Sequence, residues 1–511
     1  MNLAATILAR LGEEPERAAV VVLDVDGNEV AHYSRGELHA RTSLWSARLR
    51  LAGLAPGDQV ALCPARDLDL PALHLAALSG AISVVPLNAS LTSSEITTLL
   101  LDSKPKLVVT EPGFAIRHVE AAEALERPWW MTTEPTDGLH PPFGLAPEVD
   151  GAGDIEAVEV DDQHEAVVLY TSGTTGMPKN VPLTHANLRS NLDTLAEIWR
   201  RTSGERLLHM LPAHHFHGLA LGLYGTLLVG GTLLLLPKFD ARAAIGVIAR
   251  GDVDVVMGVP TMYSRILKAA REGTTLNGLR LAVSGSAPLS PELWEGFRDR
   301  FGVELVERYG LTETGILTTN PLDAPRAGSA GKVLPGTKLV IRDEDRYVRP
   351  VRGRESPRGE ICVAGPSVAT GYGNDPDATV AAFHDELFHT GDLGRVDADG
   401  YLWLDGRLKD LIIVGGSNVI PGEVERALSW VEGVAELAVC GAPDADLGEI
   451  VAVYVVADAG AGSRADVETS LRTAAEEALA PYKRPRRYVF VGELPRNTMG
   501  KIDRRRLRAA A

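Results

Sequence analysis

The chain has 511 residues, of which 45% are hydrophobic and 23% charged, and its formal net charge is −17. That length corresponds to about three domain-sized units, and the acidity excludes a nucleic-acid footprint, which needs clustered Lys and Arg. The three cysteines (Cys63, Cys362, Cys440) are widely separated, so neither a disulfide framework nor a zinc site is indicated and a reducing, cytoplasmic compartment fits. The start, Met1-Asn2-Leu3-Ala4, shows no charged segment leading into a long apolar stretch, so no signal peptide is expected. The run Ala166–Tyr170 reads as a buried strand. Thr184 caps a predicted helix whose apolar face is Leu188, Leu192, Leu195 and Trp199. The longest apolar run, Leu219–Leu236, is broken by Gly222, Gly225, Gly230 and Gly231, which predicts a core helix and strand and no membrane insertion. Val255–Met257, Leu281–Val283 and Leu305–Glu307 read as short buried strands, with helices over Met262–Ala270 and Glu292–Phe301 between them. The alternation predicts α/β architecture, with sheets covered by helices. From about Arg326 short strands and Gly/Pro turns predict a small all-β unit reaching Leu404. After Arg407 an α+β tail is expected, with helices over Gly422–Trp430 and Asp466–Leu479 and strands over Ile450–Val456 and Tyr488–Val491.

Residues 170–180, Tyr-Thr-Ser-Gly-Thr-Thr-Gly-Met-Pro-Lys-Asn, follow the first of these strands. Gly173 and Gly176 let backbone N–H groups approach an anion, Thr171, Ser172, Thr174 and Thr175 supply hydroxyls, and Lys179 supplies a mobile charge. Together they meet the needs of a polyphosphate, although the spacing is not the Walker pattern. The plainer alternative is a Ser/Thr/Gly surface loop, and a lysine directly behind a buried strand argues against it. The histidines in His214-His215-Phe216-His217 lack nearby carboxylates at ligand spacing, so they are not read as a metal cluster.

The 170–180 segment resembles the phosphate loop of the adenylate-forming superfamily. Further motifs of that family follow in order: Tyr309-Gly310-Leu311-Thr312-Glu313-Thr314, Thr390-Gly391-Asp392, Gly406-Arg407-Leu408-Lys409-Asp410 and Asn497-Thr498-Met499-Gly500-Lys501. The resemblance covers essentially the whole chain. It implies a large N-terminal domain of stacked mixed sheets over residues 1–407, with a β-barrel-like part at about 326–405. A small mobile α+β lid domain over 408–511 follows, with a hinge at Lys409. The reaction it implies has two halves. A carboxylate attacks the α-phosphate of ATP, giving an acyl-adenylate, and a thiol, usually of coenzyme A, then displaces AMP.

The resemblance also distributes roles. Ser172, Thr174, Thr175 and Lys179 would cradle the outer phosphates, Glu313 with Thr174 would hold Mg²⁺, and Thr312 would touch the α-phosphate. Tyr309 would lie against adenine, Asp392 and Arg407 would serve the ribose, and Lys501 would bridge the reacting carboxylate and α-phosphate. His215 matches a histidine beside the acyl carbon, with His214 in place of an aromatic residue. The turn Val414-Gly415-Gly416-Ser417-Asn418 matches a loop that lines the pantetheine channel.

The acid pocket is expected from Gly258, Ser284, Gly285 and Gly310, in segments that resemble malonyl-CoA synthetases. Arg280 stands where an arginine pairs with a distal carboxylate in that group, or is structural in aryl-CoA ligases. Gly315, after Thr-Glu-Thr, is expected to open the pocket toward larger acids, and Asn180 replaces the usual glycine after Lys179. The leading expectation is therefore ligation of a small carboxylic or dicarboxylic acid to coenzyme A. Alternatives are transfer to a carrier thiol or amine, ATP-dependent nitrite activation, and a non-catalytic homologue.

Overall fold

The computed structural model describes residues 2–123, 129–133, 143–145, 149, 153, 155–171, 178–344, 346–458, 460, 462–496 and 502–509. The chain divides into two compact units, one formed by Met1–Lys338 with Ala364–Phe388 and the other by Leu339–Val363 with His389–Ala511.

The first unit is built on two sheets. In one, Leu281–Ser284 lies between Val255–Gly258 and Leu305–Leu311, all parallel. Arg206–His209, Thr232–Leu235 and Ala18–Leu23 extend it in parallel, and Glu29–Ser34 closes that edge antiparallel. On the other side Leu305–Leu311 turns back into Gly315–Thr319 as an antiparallel hairpin. The second sheet has seven strands, six of them parallel, and ends on Glu165–Thr171 paired antiparallel with Lys179–Thr184. A single hydrophobic cluster joins inward residues of both sheets, such as Val109, Leu169, Val255 and Val283, to the helices Leu3–Glu13, Asp69–Ser79 and His185–Ile198.

Local chemistry fixes the element ends. Thr184 accepts from the N–H of Asn187, whose side chain accepts from the Thr184 N–H, and this reciprocal cap starts the helix that buries Leu188, Leu192 and Leu195. The helices expected from Met262, Glu292 and Gly422 begin at Pro260, Pro291 and Pro421. A proline at the first helical position needs no N–H partner and already has helical φ. The apolar run of 219–236 becomes a π-helix over His217–Tyr224, a short helix and the strand Thr232–Leu235. No helix among the described residues is long and apolar enough to cross a membrane.

The second unit contains a β-sheet ordered Arg346–Val348, Lys338–Asp343, Gly359–Ala364, Leu387–Val396, Tyr401–Arg407. The stretch read as purely β from 326 to 404 also contains the helix Pro376–Ala382, started by the Asp375 side chain capping Ala378. A second sheet, centred on Gly448–Ala457, packs the helices Pro421–Leu428 and Arg464–Ala478 around Val424, Leu428, Val453 and Leu471. Substituting Thr184→Ala removes the cap and should cost about 1 kcal/mol. A lowered denaturation midpoint, with Thr184→Ser close to the parent protein, is the result expected by circular dichroism.

Candidate functional site

The parallel strands of the first unit place Gly258, Ser284 and Glu307 side by side at their C-terminal ends, in the register Gly258 to Ser284 to Glu307. Ligands of open α/β sheets gather at this edge. One residue further along the last strand is Arg308, buried at 6% exposure. Its Nη2 donates to Ser286 Oγ at 3.1 Å, while its Nε has no partner and it forms no ion pair among the described residues. Burial pulls the guanidinium down to about 10, opposed by Glu307, so it keeps its charge at neutral pH. A Cβ on Gly285 would lie 2.4 Å from Arg308 Nε, so a residue without a side chain is required there. Ser286 holds a φ of 68°, a left-handed conformation that costs a non-glycine residue energy and is found at functional sites. His217, at the start of the π-helix, is buried with both ring nitrogens unpartnered among the described residues. Burial and the charge of Arg308 hold it neutral. Among the described residues Ser284 Oγ and Glu307 Oε2 also lack partners, and burial raises Glu307 to about 8 against a bond from the Leu289 N–H at 3.2 Å.

Arg280, expected in the acid pocket, belongs elsewhere. It precedes the strand Leu281–Ser284, at the opposite end from Ser284, about 13 Å away at the usual strand rise. There it donates to the Trp199 carbonyl at 3.0 Å and to Glu205 at 3.1 Å, and Arg201 clamps the same buried Glu205. Arg280 therefore neutralises a buried carboxylate on the far edge of the sheet. Arg308 was missed because it precedes the Tyr-Gly-Leu-Thr-Glu motif; two adjacent charges, Glu307-Arg308, inside an otherwise apolar strand were the available signal.

The hairpin that carries Arg308 also carries the expected nucleotide residues. Tyr309 is buried and pairs with Thr318. A β-bulge follows, and a Cβ on Gly310 would meet the Gly315 carbonyl at 2.0 Å. Thr314 Oγ1 accepts from the Leu311 N–H at 3.1 Å and closes the turn that presents Thr312 and Glu313. Asn191, buried on the apolar side of the capped helix, grips the hairpin with two bonds: Nδ2 to the Ile316 carbonyl at 2.7 Å, and Oδ1 from the Ile316 N–H at 3.0 Å. Gly315 has a φ of 61°, and a Cβ there would meet Asn191 Oδ1 at 2.9 Å and Phe216 at 3.1 Å. Its glycine therefore serves backbone shape and close packing against Phe216, and the expected opening toward larger acids is not made there.

Around the phosphate segment, Thr171 ends the strand Glu165–Thr171 and pairs with Lys179. Ser172, Gly173, Thr174, Thr175, Gly176 and Lys501 lie outside the described residues. The Lys179 ammonium stands 4.4 Å from the ring centre of Tyr372. The Tyr372 hydroxyl donates to Glu313 Oε1 at 3.0 Å. Asn180 donates to Asp102 at 3.2 Å, its carbonyl accepts from the Gly373 N–H at 3.0 Å, and Tyr170 donates to the same Asp102 at 2.6 Å. Of these bonds only the side-chain one to Asp102 is beyond the reach of a glycine. The His214 and His215 rings contact edge to face at 4.2 Å, and burial holds His214 down to about 3. Arg66 fixes the start of their loop by donating to the Leu211 and His209 carbonyls.

In the second unit Asp392 and Arg407 are register partners joined by an ion pair of 2.8 Å. Glu360 orients this turn, accepting from the Gly391 N–H at 3.1 Å and pairing with His389 at 3.1 Å and Arg342 at 3.6 Å. Sequence reasoning missed Glu360, whose partners are distant in the chain. Lys409 lies in the short helical turn Leu408–Asp410, and burial, with Arg407, lowers its pKa. Gly415 and Gly416 both have positive φ, as the tight hairpin Ile412–Val414 to Ser417–Val419 requires.

Comparison with known proteins matches residues 9–373 to the AMP-binding enzyme family and residues 423–501 to the AMP-binding enzyme C-terminal domain. The chain is 37% identical over 475 residues to a feruloyl-CoA synthase of Amycolatopsis sp, covering 91% of both chains. It is 36% identical over 391 residues to the malonate–CoA ligase of Arabidopsis thaliana, covering 70% of this chain and 62% of that one. Among solved structures, ATP-bound MatB from Rhodopseudomonas palustris superposes with a TM-score of 0.87 at 36% identity, covering 100% of this chain and 99% of that one. The amide bond synthetase McbA from Marinactinospora thermotolerans gives 0.86 at 27% identity, covering 99% of each.

Substituting Gly315→Ala should destabilise the protein by about 1 to 3 kcal/mol through strained φ. Thermal unfolding is expected to fall while bulky acids are used no better than by the parent.

Proposed function

The chain belongs to the AMP-binding enzyme family as an ATP-dependent, AMP-forming acyl-CoA synthetase, and from that premise we propose that its acid is small and carries a second carboxylate, malonate being the type, received by Arg308. The observation that carries this reading is the buried guanidinium with its unpartnered Nε at the C-terminal edge of the strands. An unpaired buried charge is costly, and a distal carboxylate would relieve that cost with charge-assisted bonds. The filled space at Gly315 and the likeness to MatB and a malonate–CoA ligase support a small acid.

Adenylation forms a bond between the acid's carboxylate oxygen and the α-phosphorus and breaks the bond to pyrophosphate. The carboxylate is already a nucleophile, so the work is the management of negative charge. Lys179 and the hydroxyls of the 171–175 segment hold the outer phosphates, Thr312 contacts the α-phosphate, and Tyr309 packs on adenine. Asp392, aligned by Arg407, accepts from the ribose hydroxyls. Lys501 adds positive charge in this half-reaction. The Glu313 carboxylate, a hard oxygen donor on a fixed turn, suits Mg²⁺; when bound, Mg²⁺ neutralises charge on the phosphates. In the second half the coenzyme A thiolate attacks the acyl carbon and AMP leaves, with the Gly415-Gly416 turn lying along the pantetheine arm. Three unpaired, buried cysteines suit the cytoplasm, where ATP and coenzyme A are at hand.

A second reading, an aromatic acid, is favoured by the likeness to the feruloyl-CoA synthase. Such an acid has no distal charge for Arg308. Pyrophosphate release across an acid panel with coenzyme A separates the two. Malonate or a close dicarboxylic relative should lead, and Arg308→Ala should lower kcat/KM for it by about 10²-fold while sparing monocarboxylic acids. Preference for ferulate, undisturbed by Arg308→Ala, would reject the dicarboxylic reading. Lys501→Ala should reduce adenylate formation by about 10²–10³-fold and leave thioester formation from supplied adenylate intact, as rapid-quench assays of each half-reaction would register.

A further inference from the structure

We propose that Tyr372 is a positioning residue of the nucleotide site, one side chain that sets the Lys179 ammonium and the Glu313 carboxylate relative to each other. The inference rests on the roles proposed above for those two residues and deepens them. Lys179 and Glu313 come from different elements of the first unit, the strand Lys179–Thr184 and the turn after Leu305–Leu311. No hydrogen bond or ion pair joins them directly among the described residues, but both meet Tyr372. Its ring face stands 4.4 Å from the ammonium nitrogen, within the range of a cation–π attraction. Its hydroxyl donates to Glu313 Oε1 at 3.0 Å.

Tyr372 is itself held from several sides. Its N–H donates to Thr379 Oγ1 at 2.9 Å, and its ring meets Phe383 edge to face at 5.7 Å. The segment before it is fixed by the Ala369 N–H on the Glu313 carbonyl at 2.7 Å and by Asn187 Nδ2 on the Pro366 and Val368 carbonyls. Just after it, the Gly373 N–H reaches the Asn180 carbonyl, and Asn374 reaches the Asp102 carbonyl. The strap therefore spans from the hairpin turn to the strand of Lys179, with Tyr372 at the crossing. The hydroxyl's bond to Oε1 fixes one lone-pair direction of the Glu313 carboxylate and so its orientation. An ammonium seated on a ring face keeps its three N–H groups for phosphate oxygens, where a carboxylate partner would have consumed them.

The two contacts separate by substitution. Tyr372→Phe keeps the ring and removes the hydroxyl; Tyr372→Leu removes both. Calorimetric titration of the whole enzyme with ATP, once with magnesium and once in EDTA, reads the contacts apart. Tyr372→Phe should weaken binding of magnesium-ATP by about tenfold, the scale of a hydrogen bond to a charged group, and leave metal-free ATP unchanged. Tyr372→Leu should also weaken metal-free ATP, by about threefold or more. Equal weakening of both titrations by Tyr372→Phe, or weakening of neither, would overturn the inference. Glu313→Gln and Lys179→Ala serve as references. If Glu313→Gln binds magnesium-ATP like the parent, the underlying role of Glu313 has failed and the inference falls with it. If both references bind weakly and Tyr372→Phe binds normally, only the inference is lost.

Discussion

A buried guanidinium that forms no ion pair among the described residues is the constraint around which the acid end of the first unit is arranged. Arg308 sits at 6% exposure with a hydrogen bond from Nη2 to Ser286 and an Nε without a partner among the described residues. Desolvating a charge without a partner costs several kcal/mol, roughly the whole stability margin of a small domain. The fold accepts related costs nearby: a left-handed Ser286, a neutral buried His217 and a glycine at 285 that the guanidinium itself demands. Costs of this kind persist where the surroundings hold them for function. An anionic group arriving with the substrate would satisfy the guanidinium, and the energy released is then available to orient the reacting carboxylate.

The same hairpin explains how acid and nucleotide functions share one scaffold. Arg308 precedes the bulge, Tyr309 and Gly310 flank it, and Thr312 and Glu313 occupy the turn. Neighbouring side chains on a twisted, bulged strand point in different directions over a few ångströms, which suits a reaction joining a carboxylate to a phosphate. The bidentate grip of Asn191 on Ile316 and the strap through Tyr372 keep this hairpin from shifting. The first acts from a helix, and the second from an irregular segment held by hydrogen bonds on both sides of Tyr372.

Much of this was legible in the sequence where the information is local. The buried run at 166–170, the strands at 255, 281 and 305, and the Thr184 cap follow from apolar periodicity and side-chain capping, and all appear within a few residues of their expected bounds. Helix starts were misplaced by one or two residues wherever a proline opened the helix, because proline signals a turn and an N-terminus alike. Arg280 was left open between substrate contact and a structural role, and its partners fit the structural one. Arg280 and Arg308 each adjoin a motif, and motif adjacency does not reveal which end of a four-residue strand faces the ligand. Glu205, which holds Arg280, is 75 residues away in the chain. Gly315 was read as missing bulk, whereas its φ and its contact with Phe216 are tertiary facts. The pairs Asn191–Ile316, Tyr372–Glu313 and Glu360–His389 are separated by 125, 59 and 29 residues, beyond the reach of a local sequence pattern.

The central claim is that charge at the far end of the acid is recognised by Arg308. Acid-dependent exchange of labelled pyrophosphate into ATP, comparing malonate with its monomethyl ester, tests it most directly, because the reacting carboxylate is the same and only the distal charge is removed. The account predicts exchange with malonate and a loss of at least about tenfold with the ester, the scale of one charged hydrogen-bonded contact. Equal or faster exchange with the ester would contradict it.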